Sequence, residues 1–130
     1  MTNDDLADAH RRAALALSLR DREAHARAIC SRAYYATYAL ISAHAPASVR
    51  PRNPGWTNFD HTQIPGIVDQ IPGLAAAEKA QIKATIQRLR DSRISADYHP
   101  GTVVDGDEAR ERLRDSVRIA ARLRHGVLLT

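Results

Sequence analysis

The sequence predicts an all-α fold in which helices pack as a bundle and residues 1–130 form a single domain. No segment longer than four residues alternates apolar and polar side chains as a strand would. Five stretches repeat apolar residues at helical spacing. The stretch Ala28–Ala43 is apolar on two adjacent faces, so more than one neighbour must cover it. We expect it to lie in the central helix.

The first helix is predicted over residues 3–19. Thr2 and Asp5 have the spacing of a capping box, and a stripe of Leu and Ala residues that begins at Leu6 follows them. We expect this stripe to face the rest of the bundle.

The second helix is predicted over residues 22–44, with Asp21 as its N-cap after a tight reversal. Its alanines allow neighbouring helices to approach closely. Its three tyrosines, Tyr34, Tyr35 and Tyr38, carry hydroxyl groups that need partners where they are buried.

Residues 46–60 are predicted to form a long loop, because Pro and Gly punctuate them. Loops of this length in compact domains are often functional, and this one carries Arg50 and Arg52. The alternative is that Trp56 and Phe59 pack on the bundle and fasten the loop to it.

Three further helices are predicted over residues 61–70, 74–98 and 107–128. Asp105 has the position of an N-cap for the last of them. On this last helix we expect five apolar side chains to point inward: Ala109, Leu113, Val117, Ala120 and Val127.

Arg93 is in phase with the apolar stripe of the fourth helix, which is formed by Ile82, Ile86 and Leu89. An arginine cannot lose its charge when it is buried, so it must be paired, lie at an open groove or face a partner chain. Asp97, four residues later, is the obvious partner. The need of Arg93 for a polar or ionic environment also predicts a homodimer, in which a second chain faces this arginine.

The composition limits the class of protein. The net charge of +4 comes from 17 arginines and two lysines against 15 acids, which permits contacts with nucleic-acid phosphates but also fits a GC-rich genome. No apolar run approaches the roughly 20 residues of a membrane span, and the acidic N-terminus does not resemble a signal peptide. We therefore expect a cytoplasmic protein without a membrane anchor.

Metal and cofactor sites are not expected. Cys30 is the only cysteine, which excludes a disulfide scaffold and cysteine-rich zinc sites. Asp21 and His25 have a spacing that metal ligands often use, but nothing near them completes a coordination shell. The sequence also contains no Gly-rich phosphate loop.

Three motifs resemble the HEPN superfamily, and in particular its small stand-alone members. They are SRAYYA at residues 31–36, the helix start Asp60–His61, and RISADY at residues 93–98, which fits an R-x-x-A-D-Y pattern. The match in element order extends from about Leu6 to Leu128. The resemblance implies a four- to five-helix up-and-down bundle that forms a homodimer.

The same resemblance implies a function. Many HEPN proteins are metal-independent RNA endonucleases, frequently toxins whose antitoxin is a minimal nucleotidyltransferase. Their catalytic signature is an Arg followed after four to six residues by a His, and here five residues separate Arg93 from His99. The resemblance makes Arg93 and His99 the catalytic candidates. The supporting residues would be Asp97, Tyr98, Tyr35 and Arg32.

These residue types fit RNA cleavage without metal. Such a reaction needs a base for the 2′-hydroxyl proton, an acid for the leaving 5′-oxygen and a cation for the phosphate charge. His99 can transfer protons near neutral pH and Arg93 can bind phosphate. In the alternative hypothesis the chain is a non-catalytic module that docks a nucleotidyltransferase or another protein, and Arg93 and Asp97 form a structural pair.

Overall fold

The computed structural model describes the backbone of residues 2–18 and 22–129 and the side chains of residues 2–14 and 23–124. A turn of 3-10 helix (His61–Gln63) leads directly into the helix that begins at Ile64. Over the described residues the chain contains helices and loops and no strand, so the predicted all-α class is confirmed. The helices are α1 (Asn3–Ser18), α2 (Arg22–Ala43), α3 (Ile64–Asp69), α4 (Ala76–Tyr98) and α5 (Gly106–Leu129).

Helix α2 is central, as predicted, because it contacts each of the other four helices. Its small residues Ala33 and Ala36 are fully buried and allow close approach. Tyr34, Leu40 and Ile41 fill the larger gaps and are also almost completely buried. Each fully buried Leu or Ile side chain stabilises such a core by about 1.5–3 kcal/mol.

Two of the predicted helix starts are confirmed by hydrogen bonds. Thr2 N donates to Asp5 Oδ2 (3.1 Å) and Asp5 N donates to Thr2 Oγ1 (3.0 Å), which forms the capping box of α1. Asp105 Oδ1 accepts from Glu108 N (2.8 Å) at the start of α5. The predicted cap Asp21 lies outside the described residues.

Two predicted inward positions are wrong. Val117 is 51% exposed and Leu6 is 37% exposed. On α5 the buried face passes through Ser116, whose Oγ lies 3.0 Å from Thr37 Oγ1 of α2. A buried polar pair therefore lies in the contact between α2 and α5, and Val117, the next residue, is turned toward the surface. The side chain of Val127 lies outside the described residues.

Arg27 of α2 holds the end of α4, a role that the sequence did not indicate. Its Nη1 donates to the carbonyl oxygens of Ser95 (2.9 Å), Ala96 (3.1 Å) and His99 (3.2 Å). Its Nη2 donates to the carbonyl oxygens of Pro100 and Thr102. Ser95 O and His99 O also accept from the main-chain nitrogens of His99 (3.2 Å) and Thr102 (3.1 Å). Arg27 adds a side-chain donor to the last carbonyl groups of α4, so it acts as a C-terminal cap supplied by another helix.

None of the helices in the described ranges is long and apolar enough to cross a membrane.

Candidate functional site

Arg93 lies where the end of α4 meets the tyrosines of α2. Its Nε is 2.9 Å from Asp97 Oδ2, and its Nη2 donates to the hydroxyl oxygens of Tyr35 and, at 3.3 Å, Tyr98. The guanidinium carbon is 5.1 Å from the ring centroid of Tyr35 and 5.0 Å from that of Tyr98. Two aromatic rings and one carboxylate thus fix the plane of the cation. We call these four residues the arginine–tyrosine cluster.

The charge of Arg93 is stabilised by this cluster. Desolvation disfavours the cation, but the contacts with Tyr35, Tyr98 and Asp97 outweigh it and raise the pKa of Arg93 above its ordinary value. Only 14% of the side chain is exposed, and its pairing with Asp97 occurs within one chain, as predicted. The burial of Arg93 therefore no longer requires a second chain, and this premise for a homodimer is lost.

His61 is packed among the same tyrosines. Its Nδ1 lies 2.6 Å from the Tyr34 hydroxyl oxygen. Its ring centroid is 5.5 Å from that of Tyr34, 6.2 Å from that of Tyr35 and 4.9 Å from that of Tyr38. Because Tyr35 also contacts Arg93, the imidazole and the guanidinium share one aromatic neighbour.

The electrostatic environment of His61 favours its neutral form. Desolvation is the largest cause, and the charges of Arg93 and Arg90 add to it, so the pKa of His61 is below its ordinary value. Burial also raises the pKa of Tyr34 to about 12, so this phenol keeps its proton. In the tautomer in which Nδ1–H donates to the Tyr34 hydroxyl oxygen, the lone pair on Nε2 of the neutral imidazole is free to accept a proton.

The sequence pointed to His61 only through the Asp60–His61 helix start. That start is confirmed, since Asp60 and Gln63 form a capping box around the 3-10 turn. The packing of α3 decides which side of the 3-10 turn faces α2, and no local sequence pattern predicts that packing. The contact between His61 and the tyrosines was therefore missed.

Gln63 fastens the 46–60 loop, another role that the sequence did not indicate. Its Oε1 accepts from the main-chain nitrogens of Arg52 (2.8 Å) and Asp60 (2.9 Å), and its Nε2 donates to Arg50 O (2.9 Å). The side chain of Gln63 therefore links the loop backbone at Arg50 and Arg52 to the end of the loop at Asp60.

Of the two residues that the alternative interpretation of the loop places on the bundle, Phe59 packs there and Trp56 is mostly exposed. Phe59 packs against the main core, and its carbonyl oxygen accepts from the Tyr38 hydroxyl. Trp56 N donates to Asn53 O (3.1 Å) in a turn in which Gly55 has φ +83°. This backbone conformation favours glycine, and it leaves the Trp56 side chain 57% exposed.

An open cleft of about 580 Å³ lies between α1, α2 and this loop, and we call it the loop cleft. Tyr35 lines the loop cleft and is also a member of the arginine–tyrosine cluster, so the cleft and the cluster adjoin each other. Its lining includes Leu6, His10, Tyr35, Tyr38, Trp56 and His61.

The remaining two predicted site residues make their contacts elsewhere. Arg32 Nη1 is 3.0 Å from His10 Nδ1, so it joins α2 to α1. His99 is the exposed C-cap residue of α4, and its hydrogen bonds among the described residues are made by its main chain. The structure thus brings together Arg93, Asp97, Tyr98 and Tyr35, while the catalytic role of His99 stays a prediction.

Cys30 is not suited to nucleophilic chemistry. Its side chain is fully buried, and this burial raises its pKa to about 12, so the thiol is neutral at physiological pH. Within the described ranges, no group of three or more His, Cys, Asp or Glu side chains could hold a metal ion.

No protein-family model, curated protein or solved structure matches this chain. The function must therefore follow from the site itself. An arginine with a fixed plane can bind a phosphate, and a neighbouring neutral histidine can accept a proton. Together they fit the cleavage of a phosphodiester that carries its own nucleophile.

Proposed function

We propose that this chain is a HEPN-type, metal-independent RNA endonuclease and the cytoplasmic toxin of a pair whose antitoxin is a minimal nucleotidyltransferase. The observation that carries the proposal is Arg93, which makes cation–π contacts with two tyrosines and an ion pair with Asp97 and lies near the neutral His61. The resemblance of the SRAYYA and RISADY motifs to the HEPN superfamily supplies the reaction class and the partner.

The reaction is an attack of the RNA 2′-oxygen on the adjacent phosphorus. A base takes the 2′-hydroxyl proton, the bond from phosphorus to the 5′-oxygen breaks, and an acid protonates that oxygen. Arg93 stabilises the charge that develops on the phosphate oxygens. The products are a 2′,3′-cyclic phosphate and a 5′-hydroxyl.

Two histidines are candidates for the proton transfers. The motif resemblance favours His99, which lies at the exposed end of α4. The geometry favours His61 as the base, because it is neutral and shares Tyr35 with Arg93.

The proposal includes a homodimer, in which a two-fold axis brings a second Arg93 and a second His99 to a shared groove. Light scattering at tens of micromolar protein should give twice the chain mass of 14.3 kDa. A monomer under these conditions would contradict this part of the proposal.

A non-catalytic docking module is the second candidate function. It is favoured by the contacts of Arg93, which engages Asp97 and both tyrosines as a structural ion pair would. In that case the folded chain binds its protein partner but does not cleave RNA.

Replacement of His99 by alanine tests the catalytic proposal. We expect RNA cleavage in the presence of a chelator to fall about a hundredfold or more, because a general acid or base is lost. The melting temperature should hardly change, because the side chain is exposed and contributes little to packing. The measurement is cleavage of total RNA beside a growth test of the wild type expressed alone.

Two further variants make the result specific. His61→Gln keeps a polar side chain beside Tyr34, and His25→Ala is the control, since His25 lies outside both the arginine–tyrosine cluster and the loop cleft. Cleavage that survives His99→Ala but is lost in His61→Gln would move the proton transfer to His61. A folded wild type with neither cleavage nor toxicity would favour the docking module.

A further inference from the structure

We propose that the loop cleft is a subsite for an unpaired nucleobase of single-stranded RNA, which stacks between Trp56 and the wall formed by Tyr38 and His61. The inference rests on the proposed ribonuclease function and adds to it the recognition of single strands. The phosphate next to this base would lie at Arg93, because Tyr35 lines the cleft and also contacts Arg93.

The exposed indole of Trp56 is the first observation. A tryptophan is usually well buried, yet this side chain is 57% exposed on a loop that is held in place. Gln63 fastens the loop backbone and Tyr38 donates to Phe59 O, so the indole is presented by an ordered segment. A fixed aromatic surface binds a planar ligand with little loss of conformational entropy.

Other lining residues of the loop cleft are also aromatic. The rings of Tyr38 and His61 have centroids 4.9 Å apart, and Tyr35 extends this wall toward Arg93. The volume of about 580 Å³ lies within the ordinary range of small-molecule sites and has room for a nucleotide. Stacking on aromatic side chains is how proteins bind unpaired bases, whereas a duplex keeps its bases stacked on one another.

The charge around the loop cleft matches a polyanion. Arg32 lies 3.0 Å from His10 of the lining, and its charge adds to desolvation in lowering the pKa of His10. At His61 the charges of Arg93 and Arg90 act in the same direction. Three arginines therefore act on lining residues of the loop cleft, against one carboxylate in the lining, that of Asp60. This excess of positive charge beside aromatic side chains suits the phosphates and bases of RNA better than an apolar peptide.

Trp56 is the only tryptophan in the chain, so its fluorescence reports on the loop cleft alone. The probe is a 2′-O-methyl uridine hexamer, which lacks the attacking hydroxyl and cannot be cleaved. We expect the hexamer to quench the fluorescence of the wild type. Trp56→Ala should weaken its binding, measured by calorimetry, about tenfold or more, while Trp56→Phe should retain most of the affinity.

The controls separate stacking from charge and from folding. A 2′-O-methyl duplex and inorganic polyphosphate should leave the fluorescence unchanged, because neither offers an unpaired base. The melting temperature of Trp56→Ala should equal that of the wild type, since the indole is exposed. Unchanged affinity of a folded Trp56→Ala, or equal quenching by the duplex, would overturn the subsite.

The same samples distinguish failure of the subsite from failure of the ribonuclease. If the wild type cleaves RNA and Trp56→Ala binds the hexamer equally well, the subsite is refuted and the ribonuclease stands. If the hexamer quenches and Trp56→Ala loses binding, but the wild type does not cleave, the subsite stands and the ribonuclease is refuted.

Discussion

Arg93→Ala is expected to lower RNA cleavage at least about a hundredfold, because the cation that stabilises the phosphate charge in the proposed mechanism is lost. The free energy of unfolding should also fall by about 1 kcal/mol, since Asp97 loses its partner and two ring contacts disappear. Cleavage of a defined oligoribonucleotide and urea denaturation measure the two effects separately.

Arg93→Lys separates charge from geometry. Lysine keeps the ion pair with Asp97 but cannot reproduce the planar fork between the two tyrosines, so cleavage should still fall about tenfold or more. Arg114→Ala is the matched control, because this arginine is 61% exposed and pairs only with Glu111 on the same helix among the described residues. Full cleavage by a folded Arg93→Ala would remove Arg93 from the proposed mechanism.

Arg27→Met should lower the free energy of unfolding by about 2–3 kcal/mol, the largest stability effect we expect from a single polar side chain here. Methionine keeps an unbranched side chain of similar volume but removes the side-chain donor that the carbonyl oxygens at the end of α4 share, together with the ion pair to Glu23. Urea denaturation of the wild type and of Arg27→Met measures this difference in the free energy of unfolding.

The change at Arg27 also reaches the functional site. Arg27 holds the segment that carries Tyr98 and His99, so Arg27→Met should raise amide hydrogen exchange there before the protein unfolds globally. Arg114→Met is the control, because it removes only an exposed ion pair with Glu111, three residues earlier on the same helix. Its free energy of unfolding should differ from that of the wild type by less than about 0.5 kcal/mol. Equal effects of the two substitutions would show that Arg27 is not a cap.

The amino-acid sequence by itself determined what depends on near neighbours in the chain. The start of α1 follows from Thr2 and Asp5, three residues apart, and the Arg93–Asp97 pair follows from two residues one helix turn apart. The central position of α2 follows from its two apolar faces. Each of these features needs only helical geometry.

Tertiary structure alone decided which distant residues meet. The packing of α3 against α2 placed His61 among the tyrosines, and the contact of α2 with α4 made Arg27 a cap for residues about 70 positions away. Val117 was mispredicted, and Trp56 departs from the alternative interpretation of the loop, because hydrophobicity indicates a tendency to be buried but not the side from which a partner arrives. Side-chain hydrogen bonds between distant segments have no periodic signature, so only the packed fold defines the candidate site.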